Sequence, residues 1–261
     1  MNFCKPKSKL KGDELKLMEV LDAGGVYFRD LNECVRNTLN SGKNEISIKN
    51  VAGQRYIADG LSHKCRIFID GTPGNDAAAY MDGPELVVCG NAQDALGNTM
   101  NSGTVIVHGS VGDAAGYGMR GGEIYIKGNA GYRVGIHMKE YNGKKPVIVI
   151  GGKTGDFLGE YMAGGIIVVL GLNADNEAIV GNFCGVGMHG GAIYARGSVD
   201  PFKVGAEVNI ADAKDEDMEI LKEYVSKFSN YFGVDYEAIM GGKFMKLSAH
   251  GKRPYKNIYA Y

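Results

Sequence analysis

Seven short segments of the chain place apolar residues at alternate positions, and each ends in glycine: RIFIDG, ELVVCG, TVIVHG, EIYIKG, PVIVIG, IIVVLG and AIYARG. A period of two is the pattern of a β-strand. The closing glycines are Gly71, Gly90, Gly109, Gly128, Gly151, Gly171 and Gly197, at spacings of 19, 19, 19, 23, 20 and 26 residues. A second column keeps the same register: Met81, Met100, Met119, Met138, Met162 and Met188. Three residues before each methionine stand Ala78, Gly97, Gly116, Gly135, Gly159 and Gly185. Seven before stand Gly74, Gln93, Gly112, Gly131, Gly155 and Gly181, so the unit carries GxxxGxxM. Self-similarity at such a period marks a solenoid.

A unit of 19 residues has no room for two helices, but it accommodates two or three short strands and tight turns. Identical strands at a fixed period stack in parallel, and parallel crossovers are right-handed in nearly all cases. The predicted fold is therefore all-β: a single-stranded right-handed parallel β-helix of about seven coils, with Asn50 to Gly60 reading as a first, degenerate coil. Two residues before the closing glycines stand Ile69, Val88, Val107, Ile126, Val149, Val169 and Ala195. Four before them stand Ile67, Leu86, Val105, Ile124, Val147, Ile167 and Ile193. Both columns point the same way and are aliphatic, which predicts the core. The methionines read as a gap-filling ladder. Stacked thioethers could also take a soft metal, but uniform spacing along a core column favours packing.

The third column, Phe68, Val87, Ile106, Tyr125, Ile148, Val168 and Tyr194, points the opposite way and carries no charge. A contiguous apolar stripe marks an interface. The helix around Met218–Phe232 could cover part of it but is expected to be too short to hide seven coils, so a second chain, either a copy or a partner, is expected on the remainder.

The flanks read as caps. Asp30-Leu31-Asn32-Glu33 has the capping-box pattern, with Leu31, Cys34, Val35 and Leu39 at helical spacing behind it. Asp212 is a candidate cap for a second helix presenting Met218, Leu221, Val225, Phe228 and Phe232 on one face. The expected division is residues 1–45 as an N-terminal cap with one helix, 46–205 as the repeat domain and 206–261 as a C-terminal helical cap and tail. Longer spacings place insertions at 139–145 and 172–178, where a solenoid tolerates loops.

Composition adds one outlier: glycine, at 40 of 261 residues, about twice the usual share. A net charge of −1 argues against binding nucleic acid through a general basic surface. The five cysteines are widely spaced with no CxxC pair, which argues against a disulfide framework or a zinc or iron–sulfur site. The basic stretch Met1 to Gly12 has no apolar run behind it, and no apolar run approaches a membrane span, so a cytoplasmic protein is expected.

The sequence offers no catalytic, cofactor-binding or metal-ligating set. His63, His108, His137, His189 and His250 form no HxxxH pair, and GxSxG, P-loop and HExxH motifs are missing. The glycines recur in every coil, whereas a dinucleotide loop would occur once. Cys184 has no basic neighbour nearby in sequence to lower its pKa, so it reads as an inert packing residue.

The runs Gly109-x-x-Gly112-x-x-x-Gly116-x-x-Met119-x-Gly121-Gly122 and Gly128-Asn129-Ala130-Gly131-Tyr132-Arg133-Val134-Gly135 resemble the glycine-repeat (GXGXG) domain at the C-terminal end of the glutamate synthase large subunit, in a stand-alone form. The resemblance spans about Val20 to Tyr261. It is also similar to the C subunit of formylmethanofuran dehydrogenase. The resemblance implies a non-catalytic scaffold supporting glutamate formation from glutamine and 2-oxoglutarate. The partners would be a glutaminase and a synthase subunit carrying FMN and an iron–sulfur cluster. Cys4 is not terminal and does not match the family's glutaminase nucleophile. The alternatives are a scaffold in a formylmethanofuran dehydrogenase-like complex and an independent β-helix enzyme that uses the insertion loops.

Overall fold

A computed structural model of the chain describes residues 18–174 and 177–250. It is a parallel β-solenoid of about six turns. Strand β1 (Glu19–Asp22) opens the sheet, followed by helix α1 (Phe28–Asn40) and β2 (Glu45–Ala52). The repeat strands are β3 (Arg66–Thr72), β4 (Asp82–Val88), β5 (Ser102–Val107), β6 (Glu123–Ile126), β7 (Val147–Ile150), β8 (Ala163–Val169) and β9 (Gly190–Arg196). Then come β10 (Val208–Asp212), α2 (Asp215–Phe232), α3 (Tyr236–Met240) and β11 (Phe244–Ala249). Strands β1 to β9 stack in chain order, each parallel to the next. The sheet ends with β11 and β10 in antiparallel pairing. The parallel ladder thus begins upstream of α1.

The six column methionines are all fully buried. The core column is Ile67, Leu86, Val105, Ile124, Ile148, Ile167 and Ile193, all with no exposed surface. Its fifth member differs from the sequence reading. Tyr125 pairs with Val149 and Ile126 with Ile150, and Val149 in turn pairs with Val168. The insertion at 139–145 is therefore one residue longer than the glycine spacing suggested. Ile148, expected on the outer stripe, points into the core, and Val147 and Val149 take the outward places. A slip of one residue exchanges the two faces of a strand.

The outer stripe is covered within the chain, which corrects the expectation of a second chain there. Val87, Ile106, Tyr125, Val168 and Tyr194 pack with Leu221, Val225, Phe228 and Phe232 of α2, while Phe68, beyond the helix, stays half-buried. The lengths agree. Eighteen helical residues rise about 27 Å, and six strands spaced about 4.8 Å apart span about 24 Å. The helix runs back along the stack. Asp217, near its start, accepts a hydrogen bond from Tyr194 Oη on β9 at 2.8 Å, and Phe232, at its end, meets the His108 ring edge-on at 5.2 Å. Midway, Lys227 Nζ lies 2.8 Å from Glu123 Oε1, whose other oxygen accepts from Tyr125 Oη at 2.6 Å.

Neither helix start uses the expected cap. Helix α1 begins at Phe28 behind Tyr27, leaving Asp30 in the first turn. Asp212 ends β10 and pairs with Lys243 at 2.9 Å. The start of α2 is held instead by Asp217, which accepts from the Lys214 backbone N–H at 3.0 Å.

Burial pushes the Asp217 carboxyl up, but Lys246 at 2.6 Å, the Lys214 N–H and Tyr194 together hold it below its ordinary value. A folded pKa below the unfolded value, about 3.9, means the stabilisation is complete above pH 4. It is lost as pH falls through the lower folded pKa. Thermal melts are expected to be flat from neutral pH to about 5 and to decline below about 4. In Asp217→Asn that acid decline should shrink, with about 1.5–3 kcal/mol already missing at neutral pH. An unchanged acid slope in the variant would assign the titration to another group.

Candidate partner-docking edge

The turn between one strand and the next fixes which side chains reach solvent. Four residues before each column methionine stand Ala77, Leu96, Ala115, Val134, Leu158 and Cys184, all buried. Cys184 thus occupies a core column, and burial pushes its thiol up to about 12, so it is neutral at physiological pH. Five residues before each methionine the backbone takes a positive φ even without glycine: Asp76, Ala95, Ala114, Arg133, Phe157 and Phe183 lie between +56° and +63°. The residue just before the methionine does the same at Tyr80, Thr99, His137 and Tyr161. These paired left-handed residues turn the chain sharply around each buried pair.

Outside the corner, Asn and Asp side chains bind each coil to the next. Asp94 accepts from the Asp113 N–H at 2.9 Å, Asp113 from the Tyr132 N–H at 2.8 Å, and Asp156 from the Asn182 N–H at 2.7 Å. The glycines seven before the methionine leave room for this. A Cβ on Gly131 would lie 2.8 Å from the Gly112 carbonyl carbon and still closer to Asp113.

Stacking at the coil spacing builds two rows of rings on this edge. In one, the Arg133 guanidinium lies 4.8 Å from the Phe157 ring centre, and Phe157 stacks on Phe183 at 5.0 Å and 14°. In the other, Tyr117 meets His137 edge-on at 5.9 Å, and His137 stacks on Tyr161 at 5.4 Å and 9°. Arg133 Nε, 3.3 Å from Glu160 Oε2, ties the rows together. Tyr117, Tyr161 and Phe183 are each more than 40% exposed. Short aromatic side chains lose little entropy on docking, and Tyr and Arg are over-represented at interface hot spots. The edge therefore presents two stacked, solvent-facing rows of rings on a fixed backbone.

The columns three and seven before the methionine hold the repeat glycines. The columns one and five before it carry His137, Tyr161, Arg133, Phe157 and Phe183, and the same counting would have found them; Tyr117 stands two before Met119. Their residues vary, so they were not legible as a motif. Of the expected site residues, Gly97, Gly116, Gly135, Gly159 and Gly185 all have positive φ and lie beneath the edge. Gly155 and Gly181 stand in the Gly131 column, against the coil before. The 139–145 insertion folds back through a Tyr141–Lys144 bridge, and Lys144 reaches Asp82 at 3.2 Å. In the second insertion Asn173 donates to Asn129 Oδ1 at 3.1 Å and Glu177 pairs with Lys153. Cys34, Cys65 and Cys184 are free thiols. Cys4 lies outside the described residues. Among the described residues no group of three or more His, Cys, Asp or Glu could hold a metal ion, and no helix is long and apolar enough to cross a membrane.

A family model described as the GXGXG motif matches residues 29–249. The uncharacterized protein MJ1350 of Methanocaldococcus jannaschii is 47% identical over 249 residues, covering 92% of this chain and 95% of the relative. Among solved structures, a chain of the formyltransferase/hydrolase complex FhcABCD from Methylorubrum extorquens, in complex with methylofuran, is similar with a TM-score of 0.49 and 23% identity. That match covers 71% of this chain and 73% of the other.

Proposed function

The chain belongs to the GXGXG-motif family, and from that premise we propose that it is a non-catalytic scaffold that holds enzyme subunits in place. The observation that carries this reading is the pair of exposed rows, Arg133–Phe157–Phe183 and Tyr117–His137–Tyr161, on one rigid edge. A solenoid is quasi-one-dimensional, so it presents an extended surface without moving parts. Its partners, on the glutamate synthase resemblance, are a glutaminase and an FMN- and iron–sulfur-containing synthase subunit that together form glutamate from glutamine and 2-oxoglutarate. On the resemblance to the C subunit of formylmethanofuran dehydrogenase, the subunits of such a complex are the second reading.

Tagged wild type and a Phe157→Ser/Phe183→Ser double variant, expressed in the native host and purified under mild conditions, test this. Wild type is expected to bring down subunits of one enzyme, and their identity separates the two readings. The double variant is expected to lose roughly 1,000-fold in affinity, from about 2 kcal/mol at each of two hot-spot rings, with an unchanged melting temperature. Equal capture by the folded variant, or no enzyme subunit on wild type, would overturn the proposal.

A further inference from the structure

The residue after each column methionine donates its backbone N–H to the methionine carbonyl of the coil before: Asn101 to Met81 at 2.8 Å, Arg120 to Met100 at 2.8 Å and Lys139 to Met119 at 3.0 Å. Asn101, Arg120 and Lys139 therefore stand side by side at the coil spacing, about 4.8 Å. The 139–145 insertion folds back over this place. A Cβ on Gly121 would lie 2.9 Å from Lys144 Cβ, and the Tyr141 ring centre is 5.7 Å from the Arg120 guanidinium carbon.

Arg120 is half-buried there, and its Nε is wholly buried without an acceptor. The other half-buried arginines among the described residues are satisfied. Arg66 pairs with Glu85 at 2.6 Å, and Arg196 donates to the Ile239 and Ala238 carbonyls at 3.0 Å. The carboxylates of this region are already engaged. Asp82 lies 3.2 Å from Lys144 and accepts from Ser102, and Glu140 lies 4.0 Å from Lys145. Lys139, exposed on the coil after Arg120, has no carboxylate within 4 Å among the described residues. A buried charged donor without an acceptor costs free energy. The planar fork of a guanidinium matches the two oxygens of a carboxylate.

We infer that Arg120 and Lys139 receive a carboxylate from an acidic segment of the docking protein, with the Arg120 fork on its two oxygens and the Lys139 ammonium beside it. The inference rests on the scaffold reading for the existence of that protein, and it names the chemistry of the segment that docks. Arg120 follows Tyr117 by three residues and Lys139 follows His137 by two, so the cations border the Tyr117–His137–Tyr161 row. An acidic residue next to an aromatic or apolar one would engage both. Lys139 and residues 141–145 are exposed, so the pair lies on an open surface. That suits a carboxylate carried by a docking chain better than a small free anion, which binds where a concave site encloses it.

Isothermal titration of the purified protein with an acetylated hexa-aspartate peptide tests this. It needs no native partner, so its outcome is separate from that of the pull-down. Wild type is expected to bind the peptide at low salt, with affinity falling as salt rises. Arg120→Met and Lys139→Glu are each expected to lose roughly tenfold. Arg120→Lys keeps the charge without the fork and should recover little of the loss. Lys222→Glu makes the same charge change on exposed α2 surface and should bind as wild type does. A guanidinium held for a partner does nothing for the isolated fold, so Arg120→Met should melt no lower than wild type. Inorganic phosphate is expected to bind roughly tenfold more weakly than the peptide. The inference is overturned if wild type does not bind the peptide, if Arg120→Met binds it like wild type, or if Lys222→Glu loses as much as Lys139→Glu. It is also overturned if Arg120→Met melts well below wild type, or if phosphate binds as tightly as the peptide, which would make this a site for free oxyanions.

Discussion

Gly135→Val is expected to melt roughly 10 °C below wild type, and Gly116→Val to behave alike. Gly135 has φ +69°, and a non-glycine residue in that region costs about 1–3 kcal/mol, most for a β-branched one. Space is short as well. A Cβ on Gly135 would lie 2.6 Å from Ile167 Cδ1, a fully buried core residue, and one on Gly116 would strike Ile148 Cδ1 in the same way. Overpacking adds about 1–3 kcal/mol. A total near 4 kcal/mol in a domain of this size gives the stated shift at about 2–4 °C per kcal/mol. Two controls separate the terms. Gly25→Ala has φ +71° and nothing within 4 Å of its Cβ, so it carries strain alone, about 1 kcal/mol. His137→Ala touches only the exposed row and should melt within about 0.5 kcal/mol of wild type. A Gly135→Val protein that melts with wild type would show that the column is not under these constraints.

Phe228→Ala is expected to cost about 3–5 kcal/mol and to make the protein self-associate. Phe228 has no exposed surface, packs on Phe232 at 4.7 Å, and reaches so close to the sheet that a Cβ on Gly151 would lie 2.7 Å from its ring. It is the centre of the contact through which α2 covers the stripe. Loosening α2 uncovers Ile106, Tyr125, Val149 and Val168 on a single face, and an apolar patch of that extent drives association. Thermal melts and light scattering on the same sample check both halves. A monomeric variant melting within 1 kcal/mol of wild type would mean that α2 is not the cover.

The repeat was legible because each coil solves the same local problem with the same residues. Strand alternation, glycine at the tight positions and methionine in the core recur at 19 residues because every coil stacks on a copy of itself. Where that locality fails, so did the reading. Strand β7 is VIVI, buried on both faces. It has no polar face to mark its register, and only its pairing with β6 and β8 sets Ile148 inward. The glycine count misplaced it by one.

The docking edge was half legible. Arg133, Phe157 and Phe183 share one offset from the methionine column, as do His137 and Tyr161. That they stack depends on the left-handed turns that set successive coils in register. By itself the sequence determined the solenoid, its period and its core, since those follow from contacts between equivalent residues of neighbouring coils. Only the tertiary structure decided that the outer stripe is closed by the chain's own helix α2. That contact joins residues more than a hundred apart with no repeat to announce it, and its direction along the stack is set by where Asp217 and Phe232 find their partners.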